Sequence, residues 1–167
     1  MGLSGPPPAV PEAAAMEDRD TPLTGKLVEG LYTEAMLLAD EARSHFDAHG
    51  HDEREALSAG LRLGYAVESL KVTTRIMHVV AWLLTQRAVL RGELTRFEGA
   101  TPDRRLGRAE PGDAGVIAQL PEAARRLVEA SEELYGRVAR LEAEMLAPPE
   151  PKPSPARALW GQLERAF

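Results

Sequence analysis

Between Glu68 and Leu94 the chain reads ESLKVTTRIMHVVAWLLTQRAVLRGEL, and no other stretch constrains the fold as strongly. Val67, Leu70, Thr74, Met77, Ala81, Leu84 and Ala88 follow alternating steps of three and four. Leu61, Tyr65, Val72, Ile76, Val79, Leu83 and Leu90 make a second apolar stripe, about 200° away at roughly 100° per residue. A helix with two opposed apolar stripes needs two sets of partners. Three helices in one small domain cover only part of each helix surface, so leaving Ile76, Met77, Val80 and Leu84 in water would expose a patch that monomers seldom tolerate. These four residues are therefore expected at a homodimer interface, and the protein is expected to work by contact.

The rest of the chain supports an all-α fold. At 167 residues it is long enough for a single core. Only 5% of it is aromatic, Ala, Leu, Glu and Arg are abundant, and no strand-like alternation occurs. The net charge of -6 works against a phosphate backbone as partner, so nucleic acid is not expected. The absence of cysteine removes disulfides and thiolate chemistry. The run Ile76 to Leu84 spans nine residues, with His78 inside it and Arg75 and Arg87 at its ends. A bilayer core requires ~20, so no membrane insertion is expected. The acidic, proline-bearing N-terminus does not read as a secretory signal, which points to the cytoplasm.

The spacing predicts a three-helix bundle over residues 23–146, with a long central helix. Residues 1–22 read as a disordered N-terminal segment, rich in Pro, Ala and Gly. A first helix opens at Pro22 or Thr24 with Leu27, Leu31, Ala35, Leu38, Ala42 and Phe46 on one face, and Gly50 is expected to end it in the left-handed conformation. Asp52 and Glu55 resemble a capping box at the start of a second helix, expected from about Glu53 to Arg91 with Gly60 and Gly64 as weak points and Gly92 as its stop. A loop from Thr95 to Gln119 follows, with a short turn around residues 116–119. Pro121 starts the third helix, where Leu120, Ala124, Leu127, Ser131, Leu134, Val138, Leu141 and Met145 repeat as a heptad and Glu132 falls on the outer face. Residues 147–167 form a tail. Five prolines between Ala147 and Pro155 make an extended linker, and ARALWGQLERAF then places Leu159, Trp160, Leu163 and Phe167 on one face of a short docking helix. That segment contacts a partner or folds back onto its own bundle.

No catalytic constellation is present, and an enzyme is not expected. The chain lacks G-x-S-x-G, a glycine-rich phosphate loop and HExxH. His45, His49, His51, Asp52 and Glu53 cluster in sequence, but Gly50 interrupts their register, so they read as a solvated turn with no metal and no cofactor. Lys71, Arg75, His78, Trp82 and Gln86 recur at steps of three and four. They suggest a cationic and aromatic surface strip suited to binding a partner, because Arg and Trp are enriched at binding hot spots. Arg104, Arg105 and Arg108 form a second basic cluster, read as solvated.

The strings LYTEAMLLADEARSHFD (Leu31 to Asp47) and Glu68 to Leu94 closely resemble the alphaproteobacterial family typified by RcdA, the regulator of CtrA degradation. The likeness covers residues 24–98 and, more loosely, the third helix. It implies a three-helix bundle, usually dimeric, that serves as an adaptor in cell-cycle-controlled proteolysis. Such a protein would help deliver regulators such as CtrA to the ATP-dependent protease ClpXP, working with ClpX, other adaptors and protein cargo. The residues alone leave a second reading open: a helical partner of a transcription or response regulator, acting without a protease.

Overall fold

The computed structural model describes residues 22–148. The expectations for residues 1–21 and for the docking segment with Leu159, Trp160, Leu163 and Phe167 fall outside the described residues. Three long helices, α1 (Pro22–Ala48), α3 (Ala59–Leu90) and α6 (Glu122–Leu146), pack on one another and carry the core. Short helices α2 (Gly50–Ala56), α4 (Arg96–Gly99) and α5 (Ala114–Ile117) and a 3-10 turn at Pro102–Arg104 fill the connections. None of the described helices is long and apolar enough to cross a membrane.

In α1 the buried face is Val28, Leu31, Ala35, Leu38 and Ala42. Leu27, expected there, is exposed, and Phe46 sits at the edge with its ring 6.0 Å from that of Tyr65. Successive steps of four rotate by about 40° each, and the alternating steps of three correct that drift, which selects Val28 over Leu27. The heptad of α6 is inward as expected, apart from Met145, which is exposed at the helix end. Pro121 precedes the first residue of that helix, where its missing N–H costs nothing.

The expected single helix from Glu53 to Arg91 is two helices. Leu57 and Ser58 are extended, at ψ 156° and 155°, which separates α2 from α3. The side chain of Arg62 donates to the carbonyls of Leu57 (3.0 Å) and Glu55 (3.1 Å), satisfying groups the break leaves open. Gly50 does not end α1 in the left-handed region. It lies buried in the first turn of α2, where a Cβ would stand 3.4 Å from the Tyr65 hydroxyl. Asp52 and Glu55 form no capping box: His49 occupies the N-cap of α2 without a side-chain bond. A complete box is made by Thr95 and Glu98 at α4 instead. Gly64 is no weak point either, since α5 packs there and a Cβ would fall 2.7 Å from Val116 Cγ1. Gly92 does stop α3. Its φ is +72°, and the N–H groups of Gly92 and Glu93 return to the carbonyls of Val89 and Ala88 in a Schellman motif.

Long-range pairs set the direction of each helix. Glu29 meets Arg87 and Phe46 meets Tyr65, so α1 and α3 are antiparallel. Arg75 meets Glu132 halfway along, and the ends of α3 and α6 share one cavity, so those two helices run parallel. A parallel pair requires a return crossing as long as the helices themselves. Residues 91–121 supply it, and the segment read from sequence as a loop is a strap laid back along the bundle.

Candidate functional site

The strip Lys71, Arg75, His78, Trp82 and Gln86 is not the open surface that its spacing suggests. Arg75 is 2% exposed, Trp82 3% and Gln86 7%, while Lys71 and His78 are half-buried. The return strap covers Lys71, Arg75 and His78, because its backbone groups need partners once they leave water, whereas Trp82 belongs to the core and lines a cavity at the bundle end together with Gln86. Arg75 donates to the Glu110 carbonyl at 2.9 Å, to Glu132 at 3.0 Å and to Ser131 Oγ at 3.2 Å. Lys71 donates to Glu68 (2.8 Å) and to the carbonyl of Pro111 (3.0 Å). The amides of Gly112 and Asp113 donate to Glu132 and Glu68. Tyr135 accepts from Ala109 N and donates to Gly107 O, and Glu142 accepts from Leu106 N. At Gly107 a Cβ would stand 2.7 Å from the His78 ring, so only glycine lets the strap pass so close. This polar strip holds the protein's own chain. Glu68, Glu132, Tyr135 and Glu142 belong to the same clamp, and Glu132 faces the strap rather than lying on an outer face. The spacing of Glu132, Tyr135 and Glu142 on α6, at steps of three and seven, was the available signal.

The other side of α3 is open. Leu63, Val67, Leu70, Met77 and Leu84 are all exposed, from 41% at Val67 to 69% at Leu63, with Thr74 and Ala81 continuing the register between them. From Leu63 to Leu84 this seam runs about 32 Å at 1.5 Å per residue. Of the four residues expected at a homodimer interface, Met77 and Leu84 lie on it. Val80 is half-buried and packs against the core. Ile76 is 5% exposed and belongs to the core stripe, so it is corrected out of the interface: it lies about 100° around the helix from Met77. On α1, Met36 is also exposed. Nearby, the Arg87 guanidinium sits 4.1 Å from the Tyr32 ring centre and donates to Glu29, tying the two helices along this flank. The Glu29 carboxylate holds the Arg87 pKa above its ordinary value.

The histidine turn is built as an internal brace. His45 Nε2 lies 3.0 Å from a Glu53 oxygen that also accepts from the Tyr65 hydroxyl at 2.8 Å. Burial, and then the bond to Glu53, push the Tyr65 hydroxyl well above its ordinary pKa. His49 stacks on His45 with ring centres 5.8 Å apart. Among the described residues no three His, Asp or Glu side chains are grouped to hold a metal ion.

At one end of the bundle a cavity of about 110 Å³ opens between the start of α1, the ends of α3 and α6, and α4. Val28, Trp82, Val89, Leu90, Met145 and Leu146 make it apolar, with Arg96, Arg105 and Glu142 also lining it. Phe97, on α4, is 85% exposed. The basic loop cluster thus divides: Arg105 lines this cavity and donates to the Ala100 carbonyl, while Arg108 is exposed.

The described surfaces can therefore offer a long apolar seam and an apolar end cavity, both suited to protein contact. Residues 20–167 match the model of a family described as protein of unknown function, DUF1465. The chain is also similar to a solved structure, that of RcdA from Caulobacter crescentus CB15. The two are 34% identical over 75% of this chain and 97% of that one, with a TM-score of 0.62. No curated protein matches the sequence significantly.

Proposed function

We propose that this chain, which belongs to the DUF1465 family and is RcdA-like, is a non-enzymatic cytoplasmic adaptor that helps bring cell-cycle regulators such as CtrA to the ClpXP protease. The observation that carries this reading is the exposed heptad of α3. A stripe with coiled-coil spacing and no partner among the described residues reads as a contact surface, and an adaptor needs such surfaces to raise the local concentration of cargo at a protease. On this reading the seam from Leu63 to Leu84 pairs two copies, and the segment bearing Leu159, Trp160, Leu163 and Phe167 supplies a second contact for cargo or protease-side factors. Similarity to RcdA supports protein partners of this class.

Reconstituted degradation tests it. Purified ClpXP, its associated adaptors and CtrA are combined with and without this chain, and cargo loss is followed over time. Faster degradation that is lost with Leu70→Asp supports the adaptor role. Unchanged degradation, with the chain still binding CtrA directly, would replace it with the reading as a regulator-binding partner that needs no protease.

A further inference from the structure

Both ends of the described chain lie at one end of the bundle. Thr24 and Val28, just after Pro22, and Met145 and Leu146, just before Pro148, line the same cavity. Around it Leu23, Leu27, Leu90 and Phe97 are exposed, at 74%, 47%, 39% and 85%. The end of the bundle is thus a concave apolar surface with an apolar rim.

We infer that the C-terminal segment 156–167 of this same chain docks on that end, laying Trp160 and Leu163 over the cavity formed by Trp82, Val89, Leu90 and Met145. Three observations choose this occupant. The segment is tethered at the rim, since the described chain ends two residues past Leu146, and tethering gives an effective concentration in the millimolar range. Its composition is complementary: Leu159, Trp160, Leu163 and Phe167 recur within nine residues, whereas the N-terminal 21 residues contain only Leu3, Val10 and two methionines as large apolar side chains. Finally, the family match begins at residue 20 and runs to residue 167, so the C-terminal segment belongs to the shared unit and most of the N-terminal one does not.

The dimensions agree. An apolar cavity of about 150 Å³ accommodates a benzene-sized group, so the cavity of about 110 Å³, open on one side, takes one large side chain with others resting on its rim. The linker from Ala147 to Pro155 spans about 28 Å when extended at ~3.1 Å per residue, and a helix over residues 156–167 returns about 18 Å. That outward run and return bring the segment back over a bundle end two to three helix diameters wide. The docked state would keep the apolar segment out of water until a partner competes for it.

Because the chain has no cysteine, paired cysteines read the segment's position directly. In the full chain, Phe97→Cys with Gln162→Cys places one thiol on the rim and one on the segment. Arg54→Cys with Gln162→Cys is the control, at the opposite end of the bundle. The expected result is an intramolecular disulfide forming at least tenfold faster in the first pair, with that advantage lost when Trp160→Ala and Leu163→Ala are added. Equal rates in the two pairs would overturn the docking. A covalent dimer would also overturn it, assigning the cavity to the segment of a second copy. Neither outcome depends on whether a protease is the partner, so the adaptor role and the docking fail separately.

Discussion

Arg75 on α3 and Glu132 on α6 meet at 3.0 Å, and the same Glu132 oxygen accepts the Gly112 amide at 2.8 Å, so one ion pair joins two helices and the strap above them. The guanidinium is 2% exposed while the carboxylate keeps 40%. Burying the cation is tolerable because Ser131, Glu132 and the Glu110 carbonyl together accept hydrogen bonds from its N–H groups.

Arg75→Ala is therefore expected to lower the unfolding free energy by about 2–3 kcal/mol, the scale for emptying a buried site and leaving its hydrogen-bond partners unmet, since the Glu132 left behind keeps contact with water. Denaturant unfolding measures the loss. Hydrogen exchange at residues 109–113 should quicken in the same variant, because the strap loses a direct anchor. A stability within ~0.5 kcal/mol of the unmodified chain would show that the clamp contributes little.

Two neighbours on α3 should respond in opposite ways to the same change. Met77→Glu, at a position 63% exposed, should leave the fold intact while converting a dimer to a monomer in light scattering at tens of micromolar. Ile76→Glu, at 5% exposure, buries an unpaired carboxylate and should cost more than ~4 kcal/mol or prevent folding. If the unmodified chain is monomeric at that concentration, the seam serves a different partner.

Glycine substitutions separate helix propensity from backbone geometry. At Gly30, within α1, a Cβ meets nothing within 4 Å, so Gly30→Ala should stabilise by roughly 0.5–1 kcal/mol. At Gly92 the positive φ makes Gly92→Ala costly by about 1–2 kcal/mol even though the space around it is open. Thermal melts should shift by a few degrees up and down respectively.

The Tyr65 hydroxyl yields a pH dependence with a definite sign. Its pKa is raised from an ordinary value of 10.0, so above that pH the unfolded chain releases a proton that the folded one retains. Stability from this group is complete below pH ~10 and falls as pH rises toward the folded-state value. In Tyr65→Phe the alkaline loss should be shallower. Absorbance titration near 295 nm should lose its latest phenolate step in that variant; losing a step at ordinary pH instead would place Tyr65 in solvent.

Local chemistry makes much of the protein legible from its residues alone. Periodicity announces the α6 core from Leu120 to Leu141, both stripes of α3, the start at Pro22 and the stop at Gly92, because each depends on residues within a few turns of one another. Tertiary structure decided which stripe of α3 faces inward, and thereby moved Ile76 from the seam to the core. It also set α6 parallel to α3, and so drew the strap across Lys71, Arg75 and His78. A cation every three or four residues looks the same in sequence whether its partners are water, a second protein or a carbonyl 35 residues away, as Glu110 is from Arg75. Only the return path of the chain selects among them, since burying the strap's backbone groups obliges nearby side chains to satisfy them.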